Sequence, residues 1–324
     1  MSRLLALVLV VGSGCASYGF NYLHPELPRC AETLRSFEEE VADTGTFEFV
    51  SFNIKFGEEP QKAMQTLAKN DLDDADVLVL QEMDLPSTRL IARELGLNYV
   101  YYPMAVHPKS GRQFGSAILS PWPIRDDRKI LLPRIDSSDD IQKMAVVATV
   151  WIQGVRVGVV NVHLQTGLTP VETGSQLQVV AGCAWGDDNV CPQAGAPMLA
   201  ETPYYIVAGD LNTTGSAHIE VAQTVLGWRG LRRVSGIGST VKFLFRFGRL
   251  DHIFVSEPLE VLGSGHGSGL FATGSDHRPI WAELRFAGRP KARWDGFDSS
   301  KPWDTFVGRE SICGTRSDAR PDRR

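Results

Sequence analysis

Apolar residues form short runs along the chain, and most of these runs have the length of a buried strand. The run FEFVSFNI (47–54) predicts one strand and DVLVLQE (76–82) a second. Further strands are predicted at 99–103, 116–119, 144–152, 155–163, 204–208, 250–255 and 279–284. Helices are predicted at 31–41, 60–69, 169–184 and 216–226. Because strands outnumber helices and some are apolar on both faces, we predict an α/β fold with two stacked sheets and helices outside.

These elements group into one main domain with additions at both ends. The 324 residues, of which 43% are hydrophobic, are enough to bury one large core. We predict a signal peptide at 1–14, an N-terminal extension at 15–46, a main domain at 47–286 and a C-terminal tail at 287–324. The tail is rich in Arg, Asp, Gly and Pro, which favours a segment that wraps the surface or lacks fixed structure.

The first residues have the pattern of an export signal. Arg3 precedes the apolar run 4–11, and small residues follow as far as Cys15. This run is far shorter than the roughly 20 residues that span a bilayer. Because GSGC (12–15) resembles a bacterial lipoprotein processing site, we predict lipidation of Cys15 and a periplasmic or cell-surface protein anchored to a membrane. A signal peptide with an incidental cysteine is the alternative.

The remaining cysteines are even in number, as expected for a chain sent to an oxidising compartment. They are Cys30, Cys183, Cys191 and Cys313. We predict disulfides between Cys183 and Cys191, which are close in sequence, and between Cys30 and Cys313. Free buried thiols are the alternative.

Two local patterns have a structural interpretation. The glycine-rich stretch GSGHGSG (263–269) favours a turn before the strand that follows it. Tyr101, Tyr102 and His107 could line a substrate cleft, but core packing or a plain surface position is the favoured interpretation. The chain contains no GxSxG, Walker or HExxH motif, so nothing in it supports a serine hydrolase, a P-loop NTPase or a zincin.

Polar side chains with catalytic potential stand at the ends of six predicted strands. They are Asn53, Glu82, His163, Asp210 with Asn212, Asp251, and Asp276 with His277. Each one alone is typical of a turn or a cap. Six together predict a shared site.

The ordered motifs that contain these residues resemble the endonuclease/exonuclease/phosphatase superfamily, a deoxyribonuclease I-like group of metal-dependent phosphoesterases. The motifs are SFNI, LQEMD, GSAILS, NVHLQ, GDLN, RLDHIFV and SDHRPI, and they cover about residues 47 to 286. The resemblance implies a four-layer α-β-β-α sandwich of two mostly antiparallel sheets. It also identifies 47–286 as the catalytic domain.

The resemblance further implies a divalent-metal-dependent phosphoesterase in which water attacks phosphorus directly. The implied ligands for Mg²⁺ or Mn²⁺ are Glu82, Asn53 and Asp276. These oxygen donors suit a hard cation that offsets the charge developing on phosphate.

The remaining motif residues have implied roles in moving the water and the proton. Asp210 would orient and deprotonate the water, and Asn212 would hold it or a phosphate oxygen. His277, polarised by Asp251, would act as an acid or electrostatic stabiliser. His163 would donate a hydrogen bond to a phosphate oxygen.

The net charge and its distribution along the chain limit the class of substrate but do not identify the substrate. The net charge of −5 argues against a surface built to coat nucleic acid, yet residues 228–249 carry only basic charges, including Arg232, Arg233 and Arg246. These three are candidate substrate-binding residues for nucleic acid or a phospholipid headgroup, with a solvated basic loop as the alternative. We also considered a phosphomonoesterase on an inositol-phosphate-like substrate and a catalytically silent binding module. A monomer is expected.

Overall fold

The computed structural model describes residues 20–35, 45–107, 111–133, 141–187, 189–192, 199, 202–236, 238–243, 246–268 and 274–288. The helices are α1 (Pro60–Ala68), α2 (Leu85–Leu95), α3 (Pro170–Trp185) and α4 (Ser216–Gly227). The strands are β1 (Phe20–Asn21), β2 (Cys30–Glu32), β3 (Thr46–Asn53), β4 (Val77–Met83), β5 (Asn98–Val106), β6 (Gln113–Ser120), β7 (Ile124–Leu131), β8 (Met144–Ile152), β9 (Val155–His163), β10 (Tyr205–Asp210), β11 (Leu231–Arg233), β12 (Val241–Phe243), β13 (Arg246–Gly248), β14 (Asp251–Ser256), β15 (Leu259–His266) and β16 (Ile280–Phe286).

The strands form two large sheets, as predicted. The first has the order β1-β5-β6-β4-β3-β16-β15, with β2 also paired to β5. The second has the order β11-β14-β10-β9-β8-β7. Only the β3–β4 and β9–β10 pairs of these sheets are parallel, so both sheets are mostly antiparallel. A small hairpin of β12 and β13 stands apart.

Strand alternation produces the four layers. In β3, Phe47 and Phe49 join the core between the sheets, whereas Val50 and Phe52 join a separate core with α1 and α2. In the second sheet, the outward-facing residues of β9, such as Val160, pack with α3 and α4. The predicted α-β-β-α sandwich is therefore confirmed.

Two of the sequence predictions about local structure are wrong. The helix predicted at 31–41 is wrong at its start, because Cys30–Glu32 pairs with β5 as a strand and 36–44 lies outside the described residues. The turn predicted at 263–269 is also wrong, since Gly263 and Gly265 lie inside β15. A Cβ on either glycine would lie 3.1–3.2 Å from the ring of Trp281, so the glycines make room for that ring.

The predictions about cysteines and membrane spans can be compared with the described part of the chain. Cys183 and Cys191 form the predicted disulfide. Cys30 is also disulfide-bonded, while its predicted partner Cys313 lies outside the described residues, as does Cys15. No helix in the described part of the chain is both long and apolar enough to cross a membrane.

Candidate active site

The site lies at one end of the space between the two sheets, where inward-facing rows change from apolar to polar. The row of β3 ends at Asn53, that of β9 at His163 and that of β10 at Asp210. Strand β14 runs the opposite way and begins with Asp251, which is paired in register with Asp210. Because side chains alternate with period 2, each polar residue faces the same way as the inter-sheet core residues of its own strand.

Glu82 breaks this alternation and needs a bulge to reach the site. Val77 and Val79 of β4 face the inter-sheet core, so regular pleating would turn Glu82 to the helix side. The β4–β6 register instead shifts between Leu80 and Met83, and Glu82 adopts φ 57°. A bulge with a positive φ on a non-glycine residue is costly and typical of functional positions.

A buried amide bridges the sheets beneath this bulge. Asn161 of β9 donates from Nδ2 to the carbonyl oxygens of Leu80 and Ala117, each at 2.9 Å. Its Oδ1 accepts from Gln81 Nε2 at 2.7 Å. Asn161 thus satisfies polar groups where the strand pairing is irregular and fixes one sheet against the other.

Asn53 connects two carboxylates at the base of the site. Its Nδ2 donates to Glu82 Oε1 at 3.1 Å and to Asp210 Oδ2 at 3.0 Å. Its Oδ1 accepts from the backbone N–H of Lys55 at 3.0 Å. Asn53 and Asp210 are buried, whereas the Glu82 side chain keeps 17% exposure. Glu82 is therefore the carboxylate of this trio that a ligand can reach.

Asp251 and His277 form a buried ion pair beside Asp210. His277 Nδ1 donates to Asp251 Oδ2 at 2.9 Å, and its Nε2 lies 3.8 Å from Asp210 Oδ2. Burial alone would lower the pKa of His277, but the carboxylates of Asp251 and Asp210 outweigh it and raise the pKa to about 10. The ring is consequently an imidazolium at neutral pH.

Asp210 sits between this ion pair and Asn53. Burial raises its pKa to about 7, and the nearby carboxylates of Asp251 and Glu82 act in the same direction against the opposing charge of His277. A carboxylate with a pKa near neutrality is a stronger base than an ordinary aspartate. Its position and basicity fit proton abstraction from a water molecule.

Asn212 holds the loop that follows Asp210. It adopts φ 49°, and its backbone N–H donates to Asp210 Oδ1 at 2.9 Å. Its Nδ2 donates to the carbonyl of Leu164 at 2.9 Å. Asn212 is 8% exposed and adjoins the site, so it orients Asp210 as well as bordering the ligand position.

A cation that the sequence analysis missed lies beside His163. Lys143 is 4% exposed, and its Nζ lies 3.4 Å from His163 Nε2 and 4.8 Å from the ring centroid of Phe114. Burial, followed by the charge of Lys143, holds the pKa of His163 well below its usual range. His163 is therefore neutral, and Lys143 supplies the positive charge at this edge. A single lysine before an apolar strand gives no sequence signal.

The donors fit a divalent metal, although the ligand set stays a prediction. Within the described residues, Asp210, Asp251 and His277 are close enough to form a metal-binding group. Both Asp251 oxygens face His277 Nδ1, however, so this carboxylate is already engaged. Glu82 is the more accessible oxygen donor, and Asn53 lies against it. Asp276 is exposed at the neighbouring position, and its charge contributes to the raised pKa of His277.

The structure describes the side chains of two of the three candidate substrate-binding arginines. Arg232 Nη2 donates to the carbonyl of Leu259 at 2.8 Å. Arg233 Nη1 lies 3.3 Å from Nδ1 of the buried His252. Arg246 lies in β13, and its side chain is outside the described part of the structure. Substrate binding by these residues stays a prediction.

Comparison with solved structures supports the fold. A protein from Beutenbergia cavernae, titled endonuclease/exonuclease/phosphatase, aligns at TM-score 0.54 with 21% identity, covering 76% of this chain and 73% of that one. The human Nocturnin catalytic domain with bound sulfate aligns at TM-score 0.54 with 16% identity, covering 80% and 97%. D. rerio TDP2 complexed with single strand DNA product aligns at TM-score 0.53 with 16% identity, covering 74% and 99%.

Comparison of sequences identifies the family. No curated protein sequence matches the chain significantly. The model of the Endonuclease/Exonuclease/phosphatase family matches residues 50–277, which contain every site residue described above. The chain belongs to the endonuclease/exonuclease/phosphatase family.

Proposed function

We propose that this protein is a divalent-metal-dependent phosphodiester hydrolase in which water attacks phosphorus in line. One observation carries the proposal: Asp210 contacts both the Asn53–Glu82 pair and the His277–Asp251 pair within a single buried cluster. A basic carboxylate, an imidazolium and an accessible carboxylate thus converge on one small volume. That combination suits phosphoryl chemistry, which depends mainly on positioning and charge stabilisation.

The side chains divide the work between attack and departure. Asp210 accepts the proton of the attacking water, and Asn212 keeps that carboxylate in place. His277 donates a proton to the leaving oxygen as the P–O ester bond breaks, or a hydrogen bond to a phosphate oxygen, with Asp251 fixing its ring and its charge. Lys143 and His163 stabilise the negative charge on the opposite edge. No covalent intermediate with the protein is involved.

Glu82, Asn53 and Asp276 are the residues that would hold the metal, which we propose to be Mg²⁺ or Mn²⁺. Carboxylate and amide oxygens are the ligands of such hard cations. Bound there, the ion would supply Lewis-acid stabilisation of phosphate charge. Asn53 Nδ2 contacts both Glu82 and Asp210. A metal ion held by Glu82 would therefore lie near Asp210, the proposed base.

We propose nucleic acid or a phospholipid headgroup as the substrate class. The single strand DNA product bound to D. rerio TDP2 is compatible with the first of these. Export, a lipid anchor at Cys15 and a monomeric state belong to the same proposal. They rest on the sequence pattern of residues 1–15 and on composition.

The test is hydrolysis of bis(p-nitrophenyl) phosphate with Mg²⁺, with Mn²⁺ and with EDTA. We expect EDTA to abolish activity, and Asp210→Asn and His277→Ala each to lower kcat by about 10²-fold or more. Asp73→Asn and His24→Ala change the same residue types at sites outside the cluster and should leave kcat unchanged. Activity that survives EDTA and both site substitutions would refute the proposal.

A second assay selects the substrate class. Plasmid DNA, RNA, sphingomyelin vesicles and inositol phosphates are compared under the same metal conditions. We expect hydrolysis of a phosphodiester, and release of phosphate from inositol phosphates alone would favour a phosphomonoesterase instead.

A further inference from the structure

Three consecutive residues next to Asn53 adopt left-handed backbone angles. Lys55, Phe56 and Gly57 have φ 47°, 56° and 58°. Left-handed geometry is unfavourable for each residue that carries a Cβ. Only Gly57 adopts it without this cost, so the turn persists because its surroundings impose it.

Specific contacts hold this turn in place. The Gly57 carbonyl accepts from Ser87 Oγ at 3.0 Å and from Arg112 Nη2 at 3.3 Å. Arg112 is also paired with Asp84, the residue that caps α2. At the other end, the Lys55 N–H donates to Asn53 Oδ1. The turn is therefore built into the site and shares one of its residues.

The turn carries an aromatic ring that connects to the site through one other ring. Phe56 is half-buried, and its ring centroid lies 4.6 Å from that of His107 and 5.1 Å from that of Phe114. Phe114 in turn lies 5.7 Å from His163. Phe56, His107 and Phe114 form a surface that we name the aromatic shelf. At one end of the shelf, Phe114 contacts His163. At the other end, Phe56 and His107 are half-buried, so a ligand can reach them.

We propose that the aromatic shelf binds a nucleobase next to the phosphate that is hydrolysed, which makes the substrate a nucleotide phosphodiester in single-stranded form. This inference rests on the proposed hydrolase activity and narrows its substrate. Nucleobases stack on aromatic side chains, and a base can do so only after leaving its neighbours in a duplex. The strained turn fixes Phe56 where such a base would lie.

The charges around the shelf favour a nucleobase over a choline headgroup. Aromatic rings also bind quaternary ammonium groups, through the face of the ring. Here the ammonium of Lys143 already lies over the ring of Phe114, and Lys55 is exposed on the same turn as Phe56. A second cation would be repelled by both, whereas an uncharged base attached to phosphate would not.

Dinucleotides with and without bases test the proposal directly. We compare kcat/KM for d(TpT) with kcat/KM for two analogues in which one thymidine is replaced by an abasic tetrahydrofuran residue. For the wild-type protein we expect at least one analogue to be about tenfold poorer than d(TpT), within the range of base–aromatic stacking. Phe56→Ala should lower d(TpT) turnover by a similar factor and leave the poorer analogue unchanged.

Matched variants separate stacking from folding and from non-specific binding. Phe56→Leu keeps apolar bulk against Phe114 and should show the Ala defect, whereas Phe56→Tyr should restore turnover. Trp228→Ala removes a 70% exposed aromatic ring at the end of α4 and should have no effect. Thermal unfolding of each variant reports on folding, and the comparison is made on variants that keep the wild-type Tm.

The outcomes distinguish this inference from the proposed function. If the wild-type protein hydrolyses no phosphodiester with any metal, bis(p-nitrophenyl) phosphate included, the proposed function itself fails. If it hydrolyses that compound but neither the dinucleotides nor longer DNA, the nucleobase inference alone fails. If it cleaves d(TpT) and both abasic analogues equally well, or if Phe56→Ala lowers all three equally, the shelf does not bind a base. Preferential hydrolysis of sphingomyelin vesicles that depends on Phe56 would overturn the choice of a nucleobase.

Discussion

Lys143 is a buried positive charge that can stabilise negative charge on phosphate at the site. Its ammonium lies 3.4 Å from His163 Nε2 and is almost fully withdrawn from water, so its field acts at short range with little screening. Loss of one positioned donor to developing negative charge commonly costs about 10²–10³-fold in turnover. We therefore expect Lys143→Met to lower kcat by about 10²-fold, measured by steady-state kinetics on the preferred phosphodiester.

Two controls make this prediction specific to the charge near His163. Lys143→Arg keeps the charge and should retain much more activity than the Met variant. Lys62→Met removes an exposed lysine on α1 and should leave kcat unchanged. Equal turnover in the wild-type and Lys143→Met proteins would exclude an electrostatic role for this side chain.

Sequence could predict the position of residues that strand alternation places. It also identified Glu82 as a site residue through its motif, but not how irregular backbone brings that side chain to the site. Asn53, His163, Asp210 and Asp251 terminate apolar strands, so their convergence follows from the pattern alone. The geometry of Glu82 depends on a bulge that no apolar pattern encodes.

At the scale of elements, the regularity of the hydrophobic pattern explains which helices and strands could be predicted from the sequence. Strands β8 and β9 are long and mostly apolar, and their predicted bounds equal the observed ones. Helix α2 was missed because its buried face includes Ser87 and Thr88, which weaken the helical periodicity. Its ends nevertheless have local signals: Asp84 accepts from Ser87 N–H, and Gly96 ends the helix in the left-handed region.

The bridge between the sheets gives a prediction at this scale. Replacing Asn161 by Ala would leave the carbonyls of Leu80 and Ala117 without their donor, and unsatisfied buried groups cost about 1–3 kcal/mol each. The bulge that directs Glu82 into the site would also lose its support. We expect lower stability to urea and, in addition, a higher metal concentration for half-maximal activity.

Asn98 provides the matched control, because it is a buried asparagine at the far end of the first sheet. It accepts from the N–H groups of Leu34 and Arg35 and donates to the Pro121 and Trp122 carbonyls. Asn98→Ala should lose stability without changing the metal requirement. If Asn161→Ala behaves in the same way, the bridge supports the fold but does not position Glu82.

On the scale of the whole molecule, the two ends of the central strands differ in the charged residues that surround them. Strands β3 and β4 end at the site, and the opposite end of β3 carries Glu48 beside a group of acidic residues. Glu48 is directly opposite Glu283 in the β3–β16 register, and its backbone N–H donates to Asp76. Like charges in directly opposed positions destabilise a sheet.

This arrangement predicts a pH-dependent stability that is independent of catalysis. Burial, followed by the charges of Asp74, Asp76 and Glu283, raises the pKa of Glu48 from 4.5 to about 7. Between these values the folded chain binds a proton that the unfolded chain has lost, so stability falls as pH rises from 4.5 through 7. Glu48→Gln cannot ionise and should raise Tm by about 2 °C at pH 8, with no gain near pH 4.5.

Glu260→Gln, which breaks the surface pair with Arg285, should give no such gain. A Tm difference between Glu48→Gln and wild type that stays constant across this pH range would show that folding does not raise the pKa of Glu48.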